Sequence, residues 1–379
     1  MMDGWKTVPL GKLCTISSGD SDTQDAVLDG PYAFFDRSKT IKRSTRYLHD
    51  CEALIIPGEG KEFLPKHFSG KFDLHQRAYA LYGFAPDLDI RFLYHFLHHR
   101  SDYFPSVAVG ATVKSLRRRH FADLPVPVPS LAEQRRIVDV LDEALEGIAV
   151  AKAHAEENFL NARALFESRL QSVFTHRDGQ WEVRPLGDFA SFKNGLNFDK
   201  NSIGQTLPFV GVADFQDNDF APIEQLGSAT IDGVLADGYL LKRDDILIVR
   251  SNGSKHLVGR SMLIGDLREA TSYSGFVIRV RFDASQVFPL FLLRFLKCQT
   301  TRQTLTSGGG GANITNINQG KLTSLRIPLP PYGEQITISG AIEEMKEETR
   351  NLEKSYRLKL TSLDELRKSL LNHAFSGKL

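Results

Sequence analysis

The chain has 379 residues, of which 41% are hydrophobic and 25% charged, with a formal net charge of +1. That length and composition predict two or three ordinary globular domains rather than one. Cys14, Cys51 and Cys298 are too few and too scattered for a disulfide framework or a zinc site, which fits a reducing cytoplasm. The head of the sequence lacks the basic-then-apolar pattern of a secretory signal, and no apolar run approaches the ~18 residues that span a bilayer.

In chain order, the first recognisable stretch is Trp5-Lys-Thr-Val-Pro-Leu-Gly-Lys-Leu13. Short β-like runs follow at 32–35, 53–56 and 78–84, separated by Gly, Pro and Asp. Residues 92–97, F-L-Y-H-F-L, have apolar positions at helical spacing. A Gly-led segment, Gly110-Ala-Thr-Val-Lys-Ser-Leu116, precedes P-V-P at 127 and then E-Q-R-R-I, which starts a helical pattern reaching Phe174. A helix of about 43 residues would be roughly 64 Å long.

The chain then repeats itself. Trp181-Glu-Val-Arg-Pro-Leu-Gly-Asp-Phe189 restates the head at an offset of 176. New β-like runs occupy 209–212, 246–249, 261–264 and 276–282, and a short helix occupies 291–296. Gly311-Ala-Asn-Ile-Thr-Asn-Ile317 matches the Gly-led segment, and Pro127, Glu133, Gln134, Ile137 and Phe174 match Pro328, Glu334, Gln335, Ile338 and Phe375, all at an offset of 201. The second variable region is therefore 25 residues longer than the first. Two copies at a period near 200 predict a pseudo-dimer within one chain: an α+β fold of two mixed globules and two long helices.

Each long helix has a heptad seam. In the second it runs Ile338, Ile342, Met345, Thr349, Leu352, Tyr356, Lys359, Leu363, Leu366 and Leu370; in the first, Ile137, Leu141, Ala144, Ile148, Ala151, Ala155, Asn158, Ala162, Leu165 and Arg169. Alternating spacings of 4 and 3 signal a coiled coil. Antiparallel packing would set Leu352 and Tyr356 against Ala151, Ala155 and Ala162.

Catalytic patterns are weak. Pro330-Pro331-Tyr332 lacks the preceding Asn or Asp of an amino-group methyltransferase, since Leu329 stands there, and reads as a linker into the helix. Gly308–Gly311 is no phosphate loop. His95, His98 and His99 have a spacing that could bind metal, but Arg294 matches His95 in the repeat, so a surface basic helix is expected. Basic residues are more telling. Arg37, Lys39, Lys42, Arg43 and Arg46, then Lys61, Lys66, Lys71 and Arg77, then Arg117 to Arg119 punctuate the first globule, with aromatics between. Lys242, Arg243, Arg250, Lys255 and Arg260 punctuate the second, while acidic residues gather on the helices. Such clusters on β-rich loops suit phosphate contact with base-edge reading.

The W-x-x-x-P-L-G heads, the Gly-led segments before P-x-P, the E-Q-x-x-I helix starts and the final A-F-S-G-K-L together closely resemble the specificity (S) subunit of type I restriction-modification systems. The resemblance covers the whole chain, although Tyr32-Ala-Phe-Phe-Asp36 departs from the fuller P-F-V-G-V-A-D form at 208–214. It implies two mixed α/β target recognition domains, 1–128 and 179–329. These would be separated by two long antiparallel coiled-coil spacer helices, 129–178 and 330–379, in a pseudo-twofold internal repeat. It also implies that each domain reads one half of a split, asymmetric double-stranded DNA site in the major groove. The chain itself would be non-catalytic, hold no metal and no cofactor, and work in the cytoplasm away from membranes. Two methyltransferase (M) subunits using S-adenosylmethionine would dock on it, with restriction/translocase (R) subunits using ATP and Mg.

The residues expected to contact DNA are Arg37, Lys39, Arg43, Lys61, Lys66, Arg77 and Lys114 in the first domain. In the second they are Arg250, Asn252, Ser254, Lys255, Arg260, Tyr273 and Asn313. Arg can bind guanine bidentately and Asn adenine. Rival expectations are the specificity partner of a fused restriction-methyltransferase enzyme, a chain that itself modifies DNA, and an adaptor whose globules bind protein.

Overall fold

The structure is a computed structural model that describes residues 5–175, 181–198, 201–307 and 316–379. It separates into two compact units, Met1–Glu157 with Tyr356–Leu379, and Asn158–Ser355. The long helices are Leu131–Thr175 and Tyr332–Phe375. The division cuts both helices rather than parting helices from globules, so each unit is a globule plus a piece of each helix.

In the first unit a six-stranded sheet has the order Thr15–Ser18, Ala78–Tyr82, His49–Pro57, Lys66–Leu74, Tyr32–Phe35, Lys42–Ser44. All neighbours are antiparallel except Lys66–Leu74 with Tyr32–Phe35. Side chains alternate between faces along a strand, and the central strand is apolar on both. Leu54 and Ile56 join a core with Leu81, Phe92 and Phe96 of helix Ile90–His99, and Ile137 and Phe375 of the long helices. Ala53 and Ile55 face a separate core with Phe35, Phe72 and Ala80.

The second unit repeats this order over four strands: Ala190–Asn194, Val277–Phe282, Ile246–Val249, Ser261–Leu263. Ile246 and Ile248 pack with helix Pro289–Lys297, and Leu247 and Val249 pack on the opposite face. The long strand of the first unit is here interrupted. Its far end is represented by Ser272–Tyr273, which pairs parallel with Thr206–Val210 just as Phe72–Leu74 pairs with Ala33–Phe35. The intervening residues 264–271 split one sheet into a four-stranded and a three-stranded sheet.

The two repeated sequence signatures are partners. Lys6–Pro9 of the head pairs antiparallel with Pro125–Val128, and Glu182–Pro185 pairs with Arg326–Leu329. The P-x-P segment is a strand. Proline is tolerated there because a two-stranded ribbon leaves outward edges that need no N–H donor.

The E-Q pair has a divided role. Gln134 is fully buried. Its amide donates to the carbonyls of Asp87 and Pro129, both at 2.9 Å, and its oxygen accepts from Asp89 N–H at 2.7 Å. Gln335 repeats the set with Gln286, Pro330 and Phe288 at 3.4, 2.9 and 2.8 Å. Each glutamine thus ties the start of a long helix to the loop leading into the short helix. The glutamates stay at the surface, Glu133 on Arg136 and Glu334 on the indole N–H of Trp181.

Within each unit the long-helix pieces run antiparallel. In the first, Arg136 donates to Leu379 O and Lys152 pairs with Asp364 at 2.7 Å. In the second, Arg163 pairs with Glu353, and Leu170 shares a core with Ile342. The far end of each helix docks on the short helix of the other repeat. Phe375 meets Phe92 and Phe96 at 5.2 and 5.4 Å, and Phe174 meets Phe291 and Phe295, both at 5.4 Å.

Two expectations are corrected here. The seam drifts off the strict heptad. Ala162 is buried at its seam position, but Asn158, Leu165 and Arg169 are exposed while Phe166 and Leu170 turn inward, and Leu352 and Leu366 are nearly half exposed. A straight helix slips about 20° per heptad against a 3.5 repeat, enough to move the inward position by one residue over this length. The histidines of the first short helix, moreover, are no free surface. His95 is buried with its Nε2 2.8 Å from Asp142 on the first long helix, and His99 stacks on Phe375. The match to Arg294 holds in space, since Arg294 bonds Glu343 of the second long helix at 2.6 Å and grips Asp219 with two bonds.

Candidate nucleic-acid interface

In each unit one group of loops is stitched together by backbone bonds at the same places. Gly58 N–H donates to Arg77 O at 2.8 Å, and Leu116 N–H to Gly58 O at 2.7 Å. In the second unit Arg250 takes the place of Gly58: its N–H donates to Phe276 O at 2.9 Å, and Ile317 N–H donates to its carbonyl at 2.9 Å. The central strand therefore ends, in both units, in a loop held between a tight turn and the segment before the P-x-P strand. Gly60 and Gly110 sit at φ +136° and +122°, backbone that only glycine adopts without strain, and Gly60 N–H donates to Lys114 O at 3.0 Å.

These loops collect most of the first domain's expected contacts. Glu59, almost buried, accepts from both Arg37 (3.4 Å) and Arg77, whose own side chains are each 57% exposed. One carboxylate thus aims two guanidiniums outward. Lys61 and Lys114 are exposed beside them, and Lys39 pairs with exposed Glu62 at 3.0 Å, a contact that water screens. The turn carrying Arg37 is held from below. Burial works to raise Asp36, but Lys42 and two bonds from Ser38 outweigh it and hold its carboxyl below the usual range. Lys66 is a strut of the same turn. It donates to the carbonyls of Ser38 and Lys39 at 2.8 and 2.9 Å, and burial pulls its ammonium below the usual range against the pull of Asp36. Arg43 stands apart, its guanidinium on the carbonyls of Gly30 and Pro31 at 2.7 and 3.4 Å.

In the second unit the loop from Arg250 to Arg260 is built by a side-chain turn, Asn252 Oδ1 accepting from Ser254 N–H at 2.8 Å. Ser254 and Lys255 are exposed at its tip and Asn252 half-buried. Arg260 folds back onto the carbonyls of Gln216 and His256, and Arg302 holds the carbonyls of Val258 and His256. Arg250 Nε is buried without a hydrogen-bond partner among the described residues.

Tyr273 is corrected: it has no exposed surface, and its hydroxyl donates to Lys193 O at 3.2 Å. It belongs to the short strand that survives the interruption of the long one, which places it in the core. Burial pushes its phenol up to about 12. Asn313 lies outside the described residues, as does the Gly308–Gly311 stretch. Phe276, which no sequence signal singled out, occupies the place of Arg77 and is 56% exposed; matching Gln76-Arg77-Ala78 to Gly275-Phe276-Val277 would have found it. Among the described residues no group of three or more His, Cys, Asp or Glu is placed to hold a metal ion. No described helix is long and apolar enough to cross a membrane.

The sequence matches the family described as type I restriction modification DNA specificity domain twice, at residues 2–157 and 179–361, one match for each half of the repeat. The chain belongs to this family. Among specificity-subunit relatives, the EcoDI specificity subunit of Escherichia coli is 24% identical over 99% of this chain and 88% of its own length. The StySPI specificity subunit of Salmonella potsdam is 28% identical over 72% of this chain and 62% of its own. Among solved structures, the HsdS subunit of Thermoanaerobacter tengcongensis aligns at a TM-score of 0.57, 18% identical over 100% of this chain and 98% of its own. A chain from a structure of a type I R-M system in complex assembly aligns at 0.76, also 18% identical, over 100% and 99%. The α+β repeat described above is therefore the fold of the specificity-domain family.

Proposed function

We propose that this chain is the non-catalytic DNA-recognition subunit of a type I restriction-modification complex, each globule reading one half of a bipartite, asymmetric site. The observation that carries this reading is the duplicated loop group. The same three segments are bonded in the same way in both halves, yet present different side chains: Arg37, Lys61, Arg77 and Lys114 in one, Arg250, Asn252, Ser254 and Lys255 in the other. A constant frame with unlike contact residues suits two unlike half-sites, with cations for phosphate and Arg or Asn for base edges. The paired long helices would set the spacing between half-sites and dock methyltransferase subunits. Those partners would bring S-adenosylmethionine, and restriction/translocase subunits ATP and Mg.

Methylated bases sequenced from a host carrying this chain with its methyltransferase partner test the proposal. A split motif with two unrelated halves is expected. A continuous palindrome, or methylation independent of this chain, overturns it.

A further inference from the structure

Phe276 is the anomaly of the second loop group. It sits at the tip of the turn between Ser274 and Val277, where Val277 N–H donates to Ser274 O at 2.8 Å and Phe276 N–H to Ser274 Oγ at 3.2 Å. The turn cannot relax away. Gly275 N–H donates to Leu196 O at 2.7 Å, and Phe276 O is held by Arg250 N–H. A rigid turn thus presents a ring, 56% exposed, next to Arg250 and the Asn252–Lys255 tip. The first unit places Arg77 at this position, aimed by Glu59.

Building on the DNA-reading proposal, we infer that Phe276 is a specificity-determining residue of the second globule, reading thymine through its 5-methyl group. The chemistry of the major groove narrows the choice. Among the four bases, the C5 methyl of thymine is the apolar group displayed on that edge, and the other features are hydrogen-bond donors and acceptors that a phenyl ring cannot satisfy. Arg77 in the same place of the first unit has the opposite chemistry and suits guanine, so the two halves would differ at this contact.

The test uses the full chain with its methyltransferase partner and duplexes of the methylated motif, each thymine of the second half-site replaced in turn by uracil. Removing one methyl is expected to weaken wild-type binding about fourfold at a single position, the equivalent of ~0.8 kcal/mol for one buried methyl(ene) group. Phe276→Ala should lose that sensitivity and accept other bases there, with the first half-site unchanged. Wild-type indifference to uracil at every position, or an unaltered motif for Phe276→Ala, overturns the inference while leaving sequence-selective binding in place. Loss of selectivity for any duplex would instead bring down the DNA-reading proposal itself. The uracil series needs no variant, so it stands even if Phe276→Ala folds poorly.

Discussion

Replacing Gln335 by Ala removes three hydrogen bonds from a side chain only 2% exposed. The carbonyl of Pro330 and the N–H of Phe288 lose partners at 2.9 and 2.8 Å, and Gln286 O loses a longer one at 3.4 Å. An orphaned buried backbone group costs about 1–3 kcal/mol, so the variant should lose roughly 3–5 kcal/mol, a large share of a domain's typical stability. Gln134→Ala should do the same in the first unit. The chain has two tryptophans, Trp5 and Trp181, one in each unit. In a Trp5→Phe background, urea unfolding followed by fluorescence reports the second unit, and Trp181→Phe reports the first. Each glutamine variant should lower the midpoint of its own unit, while Glu133→Ala and Glu334→Ala leave both nearly in place. If both glutamine variants unfold with the wild type, the two tethers are incidental and the accounting of orphaned groups is wrong.

Lys61→Ala and Lys255→Ala should weaken binding to all duplexes alike and make the dependence of log K on log salt shallower by about 0.9 for each phosphate no longer neutralised; an altered methylation motif would mean that they read bases. Tyr273→Phe should cost about 0.5–1.5 kcal/mol of stability through its missing bond and leave the motif intact, which methylated-base sequencing checks. The first unit should lose stability on acidification. His98 is held down to about 4 by burial and then by Arg367, and His49, His95, His99 and His120 are also held below 6.5, each by burial first. Between about 4 and 6.5 the unfolded chain binds more protons, so stability falls as pH falls through that window. His98→Leu should flatten the slope seen by Trp5, and an unchanged slope would refute the assignment.

The duplication, both long helices and the short helices at 92–97 and 291–296 were legible because each is a sustained periodic or repeated signal. Strands 32–35 and 246–249 were legible as compact apolar runs. What was hidden depends on partners distant in the chain. Lys66–Leu74 carries Lys66, Lys71 and Asp73 around a central Gly70 and is a strand only because His49–Pro57 and Tyr32–Phe35 flank it. The head and P-x-P ribbon joins segments more than a hundred residues apart. Gln134 was visible as a repeated letter, but its role depends on two carbonyls, one of them exposed by a loop forty-odd residues upstream. For the candidate interface, cation positions on loops were legible, whereas exposure was not. Tyr273 looked like any other aromatic beside a turn, and only the interruption of its strand explains its burial.

The long-helix ends impose an order of events during synthesis. The second unit is one uninterrupted stretch, Asn158–Ser355, but the first is assembled from two pieces and its core includes Leu371, Ala374 and Phe375. The contact of Phe92 and Phe96 with Phe375 therefore waits until some 280 further residues have been made, on the order of 15–60 s at usual translation rates. The globule that leaves the ribosome first is the one that must finish folding last, and during that interval its short helix offers an unfilled aromatic seat to chaperones or to neighbouring nascent chains.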